Sequence, residues 1–184
     1  MTRTLRPLAT ALTTLNVGLT LTGRNLAAVL VAAMALIVLA QIGLRAVFGS
    51  TLSWAEETTR IMLVWSGFLI APYAHRIGAN IAIDMFVAAL PSVVQRSLAF
   101  TIQGLVILIC AIFLGQSIGF VERGMAINAS TLPIKIGFAY LAAPIGFAGL
   151  ILVSVELVVR EILKIVDAEG DWAIKPDQIV VPPE

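Results

Sequence analysis

The sequence is poor in charged residues, which make up 12% of its 184 residues and leave a formal net charge of +1. An ordinary soluble domain carries about 25% charged residues. A surface that binds nucleic acid is usually strongly basic. The scarcity of charge therefore argues against a soluble domain, and the near-neutral balance predicts no nucleic-acid partner.

Cysteine and histidine are each present once, as Cys110 and His75. A single cysteine cannot form a disulfide or a dithiol redox pair within the chain. A single histidine cannot supply a bis-histidine haem site, and no metal-ligand cluster or phosphate-binding glycine loop is found in the sequence. The sequence thus predicts no cofactor, no metal site and no enzymatic activity.

Long apolar runs dominate what remains, since 59% of the residues are hydrophobic and the mean hydropathy is +0.99. A membrane-spanning helix needs about 20 mostly apolar residues, and backbone groups in lipid must be paired within the helix. The sequence predicts an all-α integral membrane protein with four transmembrane helices and interfacial amphipathic helices. The predicted spans are residues 26–44, 54–76, 98–121 and 136–159, of which the second has a short apolar part, 61–74.

The chain divides into three predicted regions. Residues 1–24 form an N-terminal amphipathic segment, read as a surface-lying or partner-packed helix, with a frayed leader as the alternative. Its apolar stripe recurs at steps of three and four residues and consists of Leu5, Leu8, Leu12, Leu15 and Leu19. Residues 25–160 form the four-helix membrane domain. Residues 161–184 are a charged tail that is predicted to be disordered and cytoplasmic.

The start of the second span carries a cluster of polar residues. Ser53 and Glu56 have the spacing of a capping box, and Glu56 and Arg60 are one helical turn apart. Trp54 is placed as an interfacial anchor. A well-capped helix start explains all of these residues except the doubled acid Glu56-Glu57, which leaves a docking site for a partner as the alternative.

Further polar candidates lie near the other ends of the spans. His75 and Arg76 suit the cytoplasmic end of a helix, with a proton or substrate site as the alternative. Asp84 suits the start of a short interfacial helix. Glu156 lies one turn before Arg160, which predicts a structural ion pair and leaves a functional intramembrane acid as the alternative.

Two pairs of small residues allow close approach of helices. They are Gly115 with Gly119 and Ala142 with Gly146. Such pairs occur often by chance, so they predict the sites of helix contact only weakly.

The polar motifs resemble those of a known family, the small permease (DctQ-like) subunit of tripartite ATP-independent periplasmic (TRAP) transporters. The match is densest over residues 52–91, and the four-span layout extends it to nearly the whole chain. The motifs that carry it are Ser53-Trp54-Ala55-Glu56-Glu57-Thr58-Thr59-Arg60, His75-Arg76-Ile77-Gly78-Ala79-Asn80-Ile81-Ala82-Ile83-Asp84 and Leu90-Pro91. Asn80 departs from the family, which more often has histidine there.

The resemblance implies a small membrane subunit that braces a large permease subunit during ion-driven uptake of organic acids. Its implied partners are that large subunit, a periplasmic substrate-binding protein and membrane lipids. We expect the partner interface to include Trp54, Glu56, Glu57, Arg60, Arg76 and Asp84. The alternatives from the residues alone are a self-contained small four-helix carrier and an unrelated membrane assembly or tethering factor.

The distribution of basic residues predicts the orientation. With the N-terminus inside, 8 of the 12 lysines and arginines fall in cytoplasmic segments and 4 fall outside, which places both termini in the cytoplasm.

Reporter fusions at Gly49 and Asn128 should therefore report periplasm, and fusions at Ala79 and Glu184 should report cytoplasm. A periplasmic signal from Glu184 would rule out this topology.

Overall fold

The computed structural model describes residues 2–49, 52–78 and 91–166. Within these ranges the chain is almost entirely helical, which confirms the predicted all-α class. The helices are α1 (Thr2–Phe48), α2 (Ser53–Arg76), α3 (Ser92–Met125), α4 (Gly137–Tyr140) and α5 (Ala142–Val166). Asp84, the expected interfacial helix around it and the tail beyond residue 166 lie outside the described residues.

Three stretches of the described chain are long and apolar enough to cross a membrane. They are Ala9–Phe48, Val94–Met125 and Gly137–Leu163. The helix α2 is not among them, because its apolar stretch, residues 61–74, is bounded by Arg60 and His75. A fourth span therefore stays a prediction.

The helix α5 lies at the centre of the bundle and packs against α1, α2 and α3, while α1 also packs along α2. Two glycines of α5 allow the close contact with α2. A Cβ atom at Gly146 would lie 2.6 Å from Cδ1 of Phe68, and one at Gly149 would lie 2.8 Å from Cγ of Pro72. The aromatic ring of Phe147 completes this contact, 5.5 Å from the Phe68 ring in an edge-to-face arrangement.

The two predicted small-residue pairs differ in outcome. Ala142 and Gly146 are both buried, so the close approach predicted for α5 is confirmed. At Gly115 nothing lies within 4 Å of a Cβ position, and at Gly119 only the Arg123 side chain does, at 3.8 Å. The expectation of close packing at the α3 pair is therefore wrong among the described residues.

The helix α1 is continuous, so residues 2–24 run directly into the first apolar span. Its protein-facing side is small or polar, with Ala9, Asn16, Thr20 and Ala27 buried. Of the leucine stripe, Leu15 is 70% exposed and Leu19 is 45% exposed. Leu15 thus faces away from the bundle, toward lipid or a partner, whereas Leu12 is half-buried and Leu19 lies near Gly149 of α5.

Between α3 and α4, residues 126–136 fold back on themselves and are named here the α3–α4 loop. Asn128 and Lys135 form an antiparallel bridge, and Nζ of Lys135 donates to Oδ1 of Asn128 at 2.7 Å. The amide of Ala129 donates to the carbonyl of Ile134 at 2.9 Å. The loop is therefore an ordered connection held by its own hydrogen bonds.

Alanine substitutions at two helical glycines test this packing. In Gly146→Ala the new methyl group would overlap the Phe68 side chain and approach its carbonyl oxygen at 3.0 Å. We expect a loss of about 1–3 kcal/mol in stability, as is typical of overpacked sites. Gly115→Ala meets nothing and should be neutral or slightly stabilising. Thermal unfolding in detergent measures the stability of both variants. Equal midpoints would contradict the α2–α5 contact at Gly146.

Candidate functional site

A buried ion network joins three helices near the ends of α2 and α5. It consists of Glu156 on α5, Arg76 on α2 and Arg160 on α5, with exposed fractions of 0%, 2% and 6%. Oε1 of Glu156 accepts hydrogen bonds from Nη2 of Arg76 at 3.2 Å and from Nε of Arg160 at 3.0 Å. The predicted ion pair of Glu156 with Arg160 is confirmed, and Arg76 is added to it.

Two polar side chains of α1 complete the network. Nδ2 of Asn16 donates to Oε2 of Glu156 at 2.8 Å and to the carbonyl of Leu152 at 3.1 Å. Nη2 of Arg160 donates to Oγ1 of Thr13 at 3.0 Å. Oε2 of Glu156 also accepts from Nε of Arg76 at 3.2 Å. Four hydrogen bonds therefore reach one fully buried carboxylate, and they come from α1, α2 and α5.

A buried carboxylate in an apolar medium costs several kcal/mol unless it is paired and hydrogen-bonded. The network meets that requirement only when α1, α2 and α5 lie together. It therefore fixes the relative positions of three helices, which apolar packing in lipid would specify poorly.

A second polar contact ties α3 to the same end of the bundle. Nε2 of His75 lies 3.1 Å from Oε1 of Gln103 on α3 and 3.0 Å from Oγ of Ser154 on α5. His75 was expected to mark either a helix end or a proton or substrate site. In the structure its ring bridges three helices.

The residues at the start of α2, named here the α2 N-terminal cluster, are Trp54, Glu56, Glu57 and Arg60. The predicted capping box is wrong, because the N-cap residue is Leu52, whose apolar side chain makes no capping hydrogen bond. Instead, Oε1 of Glu56 accepts from Nη2 of Arg60 at 3.2 Å, with side chains 78% and 73% exposed. The predicted pairing of Glu56 with Arg60 is thus confirmed, while Glu56 does not reach back to Ser53.

Glu57 points away from this pair and holds the α3–α4 loop. Its carboxylate accepts hydrogen bonds from the amide of Ser130 at 3.0 Å, from the amide of Thr131 at 2.7 Å and from the Thr131 hydroxyl. These donors, the Thr131 hydroxyl foremost, hold the pKa of Glu57 below its ordinary value of 4.5. The doubled acid thus has two separate roles, since one carboxylate pairs along the helix and the other anchors a loop.

The structure therefore divides the expected partner interface. Trp54, Glu56 and Arg60 are exposed on α2, whereas Glu57 is half-buried against the loop. Arg76 lies inside the bundle. The network partners Asn16 and Thr13 escaped sequence reasoning, because nothing in the sequence connects them with Glu156 and Arg160, which lie 140 and 147 positions away.

An apolar groove runs between α1 and α2 and is named here the α1–α2 groove. It comprises two adjoining cavities of about 540 Å³ and 620 Å³ that share Ala35. The first contains Arg24 and small side chains, and the second ends at Glu56 and Arg60. The remaining residues that line the groove include Ala27, Ala28, Val31, Ala32, Ser66 and Gly67 in the first part, and Met34, Val38, Thr59 and Leu63 in the second.

These features define a helical membrane protein. Among its described residues, buried charged side chains form ion pairs that hold the helices together. The family model of the DctQ component of tripartite ATP-independent periplasmic transporters matches residues 34–164. The chain belongs to this family, which confirms the resemblance found in the sequence. Neither a search of curated proteins nor a search of solved structures returned a significant match. Because the family is a transporter component, the chain is not an enzyme, as predicted.

Two arginines, each paired with a glutamate, provide a test of the buried ion network. Arg76→Gln leaves the carboxylate of Glu156 with fewer donors in a fully buried site, and we expect a loss of about 3–5 kcal/mol in stability. Arg60→Gln removes an exposed pair one helical turn apart and should cost only a few tenths of a kcal/mol. Thermal unfolding of both variants in detergent gives the comparison. Similar small losses would show that the network contributes little.

The Glu57 contact makes a pH-dependent prediction. Because its pKa is lowered in the folded chain, its contribution to stability is complete above pH 4.5 and is lost as the pH falls through the lowered value. Amide hydrogen exchange at Ser130 and Thr131, corrected for the intrinsic effect of pH, should therefore accelerate in that acidic range. Glu57→Gln should accelerate exchange already at neutral pH, and Glu56→Gln should leave it unchanged. Equal protection in both variants would contradict the assigned contact.

Proposed function

We propose that this chain is the scaffold subunit of a tripartite transporter in the bacterial inner membrane. In this proposal it holds a large permease subunit in place while that subunit carries organic acids inward with an ion gradient. A periplasmic binding protein delivers the substrate. The observation that carries the proposal is the buried ion network, because a scaffold must keep its shape while a neighbour moves against it.

The groove supports a docking role. Its small residues allow close approach of another helix, which is how helices associate where lipid provides no hydrophobic driving force. The exposed pair of Glu56 and Arg60 stands at one end of the groove. A partner helix in the groove with a polar side chain near this end would form a hydrogen bond with Glu56 or Arg60. We propose that Trp54, Glu56 and Arg60 contribute directly to the interface, and that Arg76 acts from inside the bundle by fixing α2.

The proposed topology has four spans with both termini in the cytoplasm. The 24 residues of α2 give a helix about 36 Å long, which exceeds the hydrocarbon thickness of about 30 Å. It packs against α1, which includes one candidate span, and against α5, which forms most of another. The charged residues at its two ends then lie at the two membrane surfaces.

Arg60→Ala tests the docking role. If Arg60 contacts the large subunit, its removal leaves a partner group unpaired in a partly desolvated interface, at a cost of about 1–3 kcal/mol. Co-purification of the large subunit should then fall about tenfold, while expression of the small subunit stays constant. Arg45→Ala, at the end of α1 on the same side in the proposed topology, is the matched control. Unchanged co-purification in Arg60→Ala would contradict the interface.

Reconstitution tests the function itself. The chain alone in proteoliposomes should show no ion-driven uptake of organic acids, and uptake should appear when the large subunit and the binding protein are added. Saturable uptake by the chain alone would replace the scaffold with the self-contained carrier. Uptake by the other two components without this chain would also overturn the proposal.

A further inference from the structure

A second apolar cavity differs from the α1–α2 groove in its lining, because aromatic rings form much of its wall. Its volume is about 210 Å³, and it is lined by residues of α2, α3, α4 and α5. It is named here the aromatic cavity. The aromatic residues that line it are Phe68, Phe113, Phe120, Tyr140 and Phe147, and Ala143 lines it as well.

The size of the aromatic cavity limits what it can hold. An engineered apolar cavity of about 150 Å³ binds benzene, so 210 Å³ suffices for a short hydrocarbon segment. A helix with its side chains is about 10–12 Å across and is too wide to enter. A segment of an acyl chain of the surrounding bilayer fits this volume.

The position of the cavity along α3 matches one leaflet. Arg96 and Arg123 are both exposed and 27 residues apart, which is about 40 Å of helix. This equals the thickness of a bilayer with its headgroup regions, about 40–45 Å. Arg123 thus lies at a headgroup level. Phe113 lies ten residues earlier, about 15 Å deeper, which places it in the hydrocarbon of the leaflet whose headgroups Arg123 faces.

A cation lies beside one wall of the cavity. The guanidinium carbon of Arg123 is 4.9 Å from the centre of the Phe120 ring, which is part of the wall. No ion pair joins Arg123 to another residue of the described chain. Guanidinium groups bind phosphate through two parallel hydrogen bonds. A phosphate at this level and an acyl chain in the cavity would belong to the same molecule.

We propose that the aromatic cavity binds one acyl chain of a phospholipid, and that Arg123 binds the phosphate of the same lipid. The lipid sits in the leaflet on the side of the α3–α4 loop. It fills the space beside the stacked rings of Phe113 and Phe147, 5.6 Å apart, where α3 packs against α5. The proposal does not depend on the scaffold role, since it needs only that α3 spans the membrane.

The test uses the full chain, purified in mild detergent and equilibrated with dioleoylphosphatidylglycerol, and counts retained lipids by native mass spectrometry. We expect one retained lipid per chain. Arg123→Gln should lower retention about fivefold, the usual effect of one basic residue at a membrane surface. Ala143→Leu should lower it by filling the cavity. Arg45→Gln is the matched control, since Arg45 is also an exposed cation near a helix end, and should retain the lipid.

A second probe separates the phosphate from the chain. Dioleoylglycerol has the same acyl chains without the phosphate and should be retained about as poorly by the wild type as phosphatidylglycerol is by Arg123→Gln. Equal retention of phosphatidylglycerol by the wild type, Arg123→Gln and Ala143→Leu would overturn the proposal. So would a complex with the large subunit in which an Ala143→Cys variant cross-links to that subunit and no lipid is retained, because a protein side chain would then occupy the cavity.

Discussion

The carboxylate of Glu156 imposes the strongest constraint on this structure. A charged group placed in the apolar central helix must be paired where it stands, because lipid offers it no partner. Its four donors come from three helices. Any rotation or sliding of α1, α2 or α5 would break at least one of these bonds. The single acid thereby converts an arrangement that apolar surfaces would permit in many registers into one arrangement.

Other features of the bundle agree with that constraint. The glycines of α5 bring α2 close enough for Arg76 to reach the carboxylate, and the small and polar face of α1 brings Asn16 within reach. The His75 contact extends the same layer to α3. The opposite end of the bundle is fixed differently, because there Glu57 holds a loop through backbone amides. Large apolar side chains are left mostly on the outside, where lipid and partners meet them.

Sequence reasoning predicted the local features of this fold and missed the distant ones. Helical class, three of the apolar spans and the pairings of Glu56 with Arg60 and Glu156 with Arg160 follow from composition and from spacing of one turn. The link from Arg76 to Glu156 crosses 80 residues, and no periodicity encodes it. The capping box failed because Glu56 has a cation one turn ahead, and a carboxylate can satisfy only one of the two geometries. The leucine stripe was visible, but which face of a membrane helix meets protein is not decided by hydrophobicity, because lipid is equally apolar.

The buried network also sets an order of events during synthesis. Asn16 is made 140 residues before its partner Glu156. At ribosomal speeds of about 5–20 residues per second, about 7–28 seconds separate the two. During that interval the polar face of α1 has no Glu156 to bond with, so the nascent chain must satisfy it with water, the insertion machinery or an incomplete bundle. The described bundle therefore closes only when α5 enters the membrane, and a chain that is truncated before Glu156 would expose that polar face to quality control.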